Sequence, residues 1–162
     1  MTTVTDRPDL GSLIPLAATL GIELESSTPD EVHATMPWKA ELCTTMGVLH
    51  GGALMAFADT LGAVCASQHL PEGALTTTIE SKTNFLRAVT EGTVHGVSKP
   101  VHAGRRTIVV QTELRNDAGK LVALVTQPQA VIQPGRPSRR APVRSTSSSA
   151  GAVSPSCSST RS

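Results

Sequence analysis

Residues 47–66 hold the side chains whose types and spacing could do chemistry in this chain. The segment 47–52 reads GVLHGG, and almost every residue of the following run, 53–66, is apolar. This pattern predicts a tight turn that leads into a buried helix. One carboxylate, Asp59, interrupts the run. An ionised carboxylate inside a core costs several kcal/mol unless it is paired, hydrogen-bonded or hydrated, so Asp59 needs an explanation.

The turn itself supplies a second chemical feature. The start of a helix offers unpaired backbone N–H groups and the positive end of a dipole, both of which stabilise negative charge. Gly51 and Gly52 lack a Cβ atom, so a carbonyl group could approach this backbone closely. Such a helix start and a carboxylate could together serve acyl transfer. His50 and the glycines fit a plain capped turn equally well, and Asp59 could be a structural carboxylate bonded to a hydroxyl.

The elements that must position these residues follow from hydrophobic periodicity. We predict a helix over 10–20 with Ser12 as its N-cap, a hairpin from 22–26 and 31–38, and a central helix that ends near His69. After Pro71 the period changes to two, and four β-rich segments predict an antiparallel meander: 75–89, 92–102, 106–115 and 120–132. One apolar helix facing a curved antiparallel sheet is an α+β arrangement.

Composition divides the 162 residues into a flexible N-terminus (1–9), one domain (10–134) and a disordered Pro/Ser/Arg-rich tail (135–162). Residues 1–134 hold nine Lys/Arg against all thirteen Asp/Glu, which argues against nucleic-acid binding. Neither a membrane span nor a secretion signal is predicted. The three cysteines are widely spaced, which favours a reduced, cytoplasmic protein. No His, Cys and carboxylate spacing suggests a metal site.

The sequence resembles the hotdog-fold acyl-CoA thioesterases, in particular the branch that contains phenylacetyl-CoA and 4-hydroxybenzoyl-CoA thioesterases. The similarity covers about residues 10–133 and rests on GxxHGGA at 47–53, Asp59 nine residues after the histidine, TNFLRAV at 83–89 and HAGR at 102–105. It implies the hotdog fold, in which a curved antiparallel sheet wraps a long central helix. It also implies hydrolysis of an aryl or medium-chain acyl-CoA to the free acid and CoA, without a cofactor.

The resemblance also implies roles for individual residues. The Gly51 N–H would bind the oxyanion, His50 would orient the turn or polarise the carbonyl, and Asp59 would be the nucleophile or general base. Thr78 would hold the attacking water, and Thr44 stands where the branch commonly carries Asn or Gln. The residues expected to contact substrate or CoA are Gly52, Asn84, Arg87, His102, Arg105 and Arg106, and the planar arginine fork suits phosphate.

Helix geometry predicts that the site needs two copies of the chain. Gly52 and Asp59 are about 10 Å apart along a helix axis, too far to meet at one carbonyl. In a two-fold dimer with antiparallel central helices, Gly51 of one protomer would meet Asp59 of the other, and a dimer of dimers is also expected. Thr44 and Ala63, which replace longer or polar residues of the branch, suggest a non-catalytic acyl-CoA-binding module as the alternative. A hotdog dehydratase or hydratase is a weaker one.

Overall fold

A computed structural model describes residues 10–133, which form one antiparallel sheet of seven strands around one long helix. The helices are α1 (Leu10–Leu13), α2 (Pro15–Leu20) and α3 (Gly51–Ser67). The strands are β1 (Glu23–Ser27), β2 (Val32–Pro37), β3 (Leu75–Thr78), β4 (Lys82–Phe85), β5 (Thr93–Ala103), β6 (Thr107–Asn116) and β7 (Leu121–Ile132). The predicted α+β fold is confirmed, whereas the predicted flexible N-terminus and tail lie outside the described residues.

The core of the molecule lies between α3 and the inner face of the sheet. The helix packs against five strands, β2, β3, β5, β6 and β7, so the sheet wraps around it. Phe57, Leu61 and Cys65 are completely buried, as the apolar run predicts. The helix ends at Ser67, two residues before the predicted end. Just beyond it, a ring nitrogen of His69 lies 2.9 Å from the carbonyl oxygen of Pro29 and ties this end to the β1–β2 turn.

The sheet order is β1-β2-β5-β6-β7-β3, and β4 also pairs with β7. Side chains alternate between the buried inner face and the outer face along β2, β5 and β6. At Gly96 of β5 the helix approaches the sheet closely, because a Cβ there would lie 2.6 Å from Leu61 Cδ2 and 2.9 Å from Phe57 Cζ. The missing side chain therefore sets the depth at which α3 lies on the sheet.

The prediction of one strand over 75–89 is wrong, because the segment is divided into β3 and β4. Both strands pair with β7, β3 with its second half and β4 with its first half. Pro128 of β7 faces the break: its carbonyl accepts the Ile79 N–H at 2.9 Å, but proline has no N–H to return. The ladder loses a hydrogen bond here, and pairing resumes at Lys82 opposite Thr126.

The single helix predicted over 10–20 is also wrong. The helix is interrupted at Ile14, which adopts an extended conformation before Pro15 opens α2. A residue before proline disfavours the α region, which accounts for the interruption. Ser12 lies inside α1 instead of capping it. Gly21 does end α2, with a left-handed φ of 72°.

Candidate active site

Asp59 lies on the face of α3 that meets the last strands of the sheet. Its Oδ1 atom accepts two hydrogen bonds, from the Thr78 hydroxyl at 2.8 Å and from Gln127 Nε2 at 2.6 Å. No ion pair involves Asp59 within residues 10–133, and neither donor is charged. The carboxylate is therefore partly buried without a cation, and two neutral donors compensate for that burial.

Strand register brings these donors to the helix. Thr78 is the last residue of β3 and pairs with Gln129 of β7, and Gln127 lies two residues away on the same inner face. Sequence reasoning predicted Thr78 but missed both glutamines. The signal was present, because alternation along β7 places Gln127 and Gln129 on the same side as Val125. Polar residues at inward positions of a predicted strand are the pattern that could have identified them.

The start of α3 forms a second group of predicted residues. His50 caps the helix: its Nδ1 accepts the Gly52 N–H at 2.8 Å. A neutral imidazole that accepts at Nδ1 carries its proton on Nε2, which can donate to a ligand. Within residues 10–133 the Gly51 N–H has no acceptor, as expected for the first residue of a helix. Two donors, the Gly51 N–H and His50 Nε2, are therefore available at this helix end.

The ring of Phe85 covers Gly51. A Cβ at Gly51 would lie 3.0 Å from Phe85 Cζ, yet half of the Phe85 side chain is still exposed. This aromatic ring, at the end of β4, comes from the segment that carries the predicted residues Asn84 and Arg87, both exposed. The Arg87 N–H donates to Val122 O at 3.2 Å, so the chain stays attached to β7 here. Sequence reasoning did not single out Phe85.

A third group lies at the β5–β6 turn. His102, Arg105 and Arg106 line an open cavity of about 510 Å³ together with Gly104, Thr107 and Gln133. Two guanidinium groups and an imidazole beside one cavity can receive an anion such as a phosphate. Arg87 does not line this cavity. Thr44 lies elsewhere, exposed in the loop before α3, where its N–H donates to Val48 O at 2.8 Å.

Several known proteins and solved structures are similar to this chain. The family model of the thioesterase superfamily matches residues 46–123. The crystal structure of a Haemophilus influenzae thioesterase is 31% identical, and the similarity covers 81% of this chain and 93% of that one with a TM-score of 0.74. The 1,4-dihydroxy-2-naphthoyl-CoA hydrolase of Escherichia coli is 34% identical over 102 residues, which cover 63% of this chain and 75% of that protein. The proofreading thioesterase EntH of Cronobacter turicensis is 34% identical over 101 residues, covering 62% and 74%.

The matched region contains the helix start, Asp59 and most of the sheet that supports them. The relatives and the overall fold point to the same family. The chain therefore belongs to the thioesterase superfamily, as its resemblance predicted, and is a thioester hydrolase with the hotdog fold.

Proposed function

We propose that this protein is an acyl-CoA thioesterase that uses Asp59 as its nucleophile or general base. The observation that carries the proposal is the environment of Asp59, whose Oδ1 is held by Thr78 and Gln127 and whose Oδ2 has no partner within residues 10–133. A partly buried carboxylate with one fixed oxygen and one free oxygen suits general-base or nucleophilic chemistry. The substrate we propose is an aryl or medium-chain acyl-CoA, and the hydrolase of E. coli, whose name specifies a CoA thioester of an aromatic acid, supports the aryl alternative.

In the proposed reaction the thioester carbonyl oxygen accepts hydrogen bonds from the Gly51 N–H and His50 Nε2, which stabilise its developing charge. Asp59 Oδ2 either attacks the carbonyl carbon or takes a proton from the attacking water. The C–S bond then breaks, and the sulfur leaves with its electron pair as the CoA thiolate, which is protonated to the thiol. If Asp59 attacks, water hydrolyses the resulting acyl–aspartyl anhydride. Both routes give the carboxylic acid and CoA.

We infer that each site is formed by two protomers of a homodimer. Gly51 and Asp59 lie on one helix, more than two turns apart, so one protomer cannot place both at the same carbonyl. Large apolar side chains are exposed on the protomer around the helix start and the β3 edge, including Met46, Leu75 and Ile79. A second copy would bury these side chains, so their exposure on the protomer supports a two-fold dimer, and two such dimers would make the expected tetramer.

The β5–β6 turn is the proposed contact for the phosphates of CoA. Arg105, Arg106 and His102 supply donors to the 510 Å³ cavity, and the reaction itself requires no further cofactor. Arg87, Asn84 and Gly52 remain predicted substrate contacts. The Gly52 N–H is already bound to His50, so Gly52 would contribute through its lack of a side chain.

We also propose a cytoplasmic location. The described cysteines, Cys43 and Cys65, are free thiols, as expected in a reducing compartment. Burial raises the pKa of the Cys65 thiol, which keeps it protonated and unreactive. Within residues 10–133, no helix is both long enough and apolar enough to cross a membrane.

The variant Asp59→Asn tests the proposal, because it keeps the shape of the side chain and removes the charge. We expect kcat for thiol release from aryl and fatty acyl-CoAs to fall by about two orders of magnitude or more. Binding of CoA should persist, and the melting temperature should hold or rise, because a buried charge kept for function is usually destabilising.

Asp30→Asn, in the exposed β1–β2 turn, is the matched control and should leave the rate unchanged. If correctly folded Asp59→Asn retained full activity, the proposed mechanism would be wrong. A lower melting temperature with preserved activity per folded molecule would assign Asp59 a structural role instead.

A further inference from the structure

Two polar residues of β7, Gln127 and Gln129, are completely buried. The β-strand itself could form with apolar residues at both positions. A primary amide is rarely placed in a core, because each of its polar atoms needs a partner there. Apolar residues at these inward positions would pack with α3 equally well, as Val125 does. The hydrogen bonds that the two amides make therefore indicate why they are present.

The hydrogen bonds of Gln129 run in one direction, toward Asp59. Thr76 donates its hydroxyl proton to Gln129 Oε1 at 3.2 Å, and Gln129 Nε2 donates to Thr78 Oγ1 at 3.0 Å. Thr78 Oγ1 also lies 3.2 Å from Gln129 Oε1, but its single proton goes to the shorter contact, 2.8 Å from Asp59 Oδ1. The amide of Gln129 thus orients the Thr78 hydroxyl so that it donates to the carboxylate.

Gln127 donates a hydrogen bond to Asp59 directly, but its own side-chain carbonyl oxygen is left without a hydrogen bond. Its Nε2 donates to Asp59 Oδ1 at 2.6 Å, whereas its buried Oε1 has no hydrogen-bond partner. Oε1 lies against Gly62, where any Cβ would overlap it, and only three residues separate Gly62 from Asp59 on the helix. A buried acceptor without a partner is destabilising, so the amide is held in this orientation despite an energetic penalty.

We propose that Gln127 and Gln129 are positioning residues that fix Asp59 Oδ1, so that Oδ2 is the oxygen presented to the substrate. Both donors to the carboxylate, Gln127 Nε2 and the Thr78 hydroxyl, converge on the same oxygen. Gly62 contributes to the same arrangement, because its lack of a side chain leaves the space that the Gln127 amide occupies. This inference rests on the proposed catalytic role of Asp59.

The variant Gln127→Met tests the inference, because methionine has a similar length and no donor. A misplaced reacting group loses rate without losing substrate affinity, so we expect kcat to fall about tenfold to a hundredfold while KM changes less than about twofold. The melting temperature should change little, since the loss of a donor to Asp59 is offset by the removal of the unpaired Oε1. Gln111→Met, on the outer face of β6, is the matched control and should keep the kcat of the unmodified protein.

A purely structural role predicts the opposite pattern, a lower melting temperature with kcat preserved, and would overturn the inference. Thr76→Val is a milder variant, which removes only the donor to Gln129 Oε1, and its control is Thr77→Val on the exposed side of β3. Thr76→Val should lower kcat relative to Thr77→Val, and equal kcat values would overturn the part assigned to Gln129.

Comparing Gln127→Met with Asp59→Asn, alone and combined, separates this inference from the proposed function. If Asp59→Asn is inactive and Gln127→Met is fully active, only the positioning role fails. If Asp59→Asn is fully active, the proposed function fails first. If the proposed function and the positioning role are both correct, adding Gln127→Met to Asp59→Asn should not lower its residual rate further. The carboxylate that Gln127 positions is already absent in that variant.

Discussion

Asp59 differs from a salt-bridged carboxylate because its partners are an amide and a hydroxyl. These neutral donors hold one oxygen in place without pairing the carboxylate with a cation, and the second oxygen is left for the reaction. The sequence indicated Asp59, since it is the one acid in an apolar run. It did not reveal Gln127 as a partner, because that contact joins residues 68 positions apart and depends on the register of β7.

His50 has two roles that substitutions can separate. Its Nδ1 caps α3 through the Gly52 N–H, and its Nε2 is the proposed donor to the substrate carbonyl. Asparagine is also an effective N-cap but has no ring donor, so His50→Asn should keep the melting temperature and lower kcat about a hundredfold. Thermal unfolding and thiol release measure the two effects.

His50→Ala provides the comparison, because it removes both roles. It should lower kcat as His50→Asn does and also lower the free energy of unfolding by about 1 kcal/mol. If His50→Asn kept full activity, His50 would be a helix cap without a part in the reaction.

At the scale of elements, Gly96 determines how α3 lies on the sheet. Gly96→Ala would place a Cβ 2.6 Å from Leu61 Cδ2, in a core that has no room for it. We expect the free energy of unfolding to fall by about 1–3 kcal/mol, measured by denaturant unfolding at fixed protein concentration. The same substitution should cost less in a Leu61→Ala background, where the contacting methyl is gone. An equal cost in both backgrounds would contradict overpacking at this contact as the cause.

Most elements could be predicted from the sequence, because their patterns are local. The apolar run specified α3, and the alternation of polar and apolar residues specified β2, β5, β6 and β7. The break between β3 and β4 could not be predicted from residues 75–89 alone, because the missing donor that weakens the pairing there belongs to Pro128 on the partner strand. A donor missing from one strand interrupts the other, and the two become neighbours only after folding. By contrast, Pro15 marked the α1–α2 break within its own segment.

At the scale of the whole molecule, one protomer contains both halves of the proposed site but keeps them apart. The helix start offers the Gly51 N–H and His50 Nε2, and Asp59 lies more than two turns further along the same rigid helix. Helix geometry alone therefore predicts that the halves meet only between copies. The exposed apolar side chains of Met46, Leu75 and Ile79 are consistent with this arrangement.

A pair of variants at Gly51 can inactivate one half of the site. Gly51→Pro removes the backbone N–H and is compatible with the helix, since proline is favoured at the first position of a helix. His50 already has the extended conformation that a residue before proline prefers, with φ of −65° and ψ of 136°. Gly51→Ala keeps the N–H but adds the same Cβ beside Phe85, and is the matched control for that contact. Loss of activity in Gly51→Pro beyond that in Gly51→Ala would therefore measure the N–H.

Mixing two inactive variants then tests the shared site. In a hybrid dimer of Gly51→Pro with Asp59→Asn, one site combines the intact helix start of one protomer with the intact Asp59 of the other, and the second site carries both defects. Unfolding and refolding an equal mixture should restore about a quarter of the activity of the unmodified protein, because half of the dimers are hybrids with one working site each. Each variant refolded alone should stay inactive. If the mixture also stays inactive while sedimentation shows that hybrid dimers form, the carboxylate and the helix start must act within one protomer, and the proposed two-protomer site is wrong.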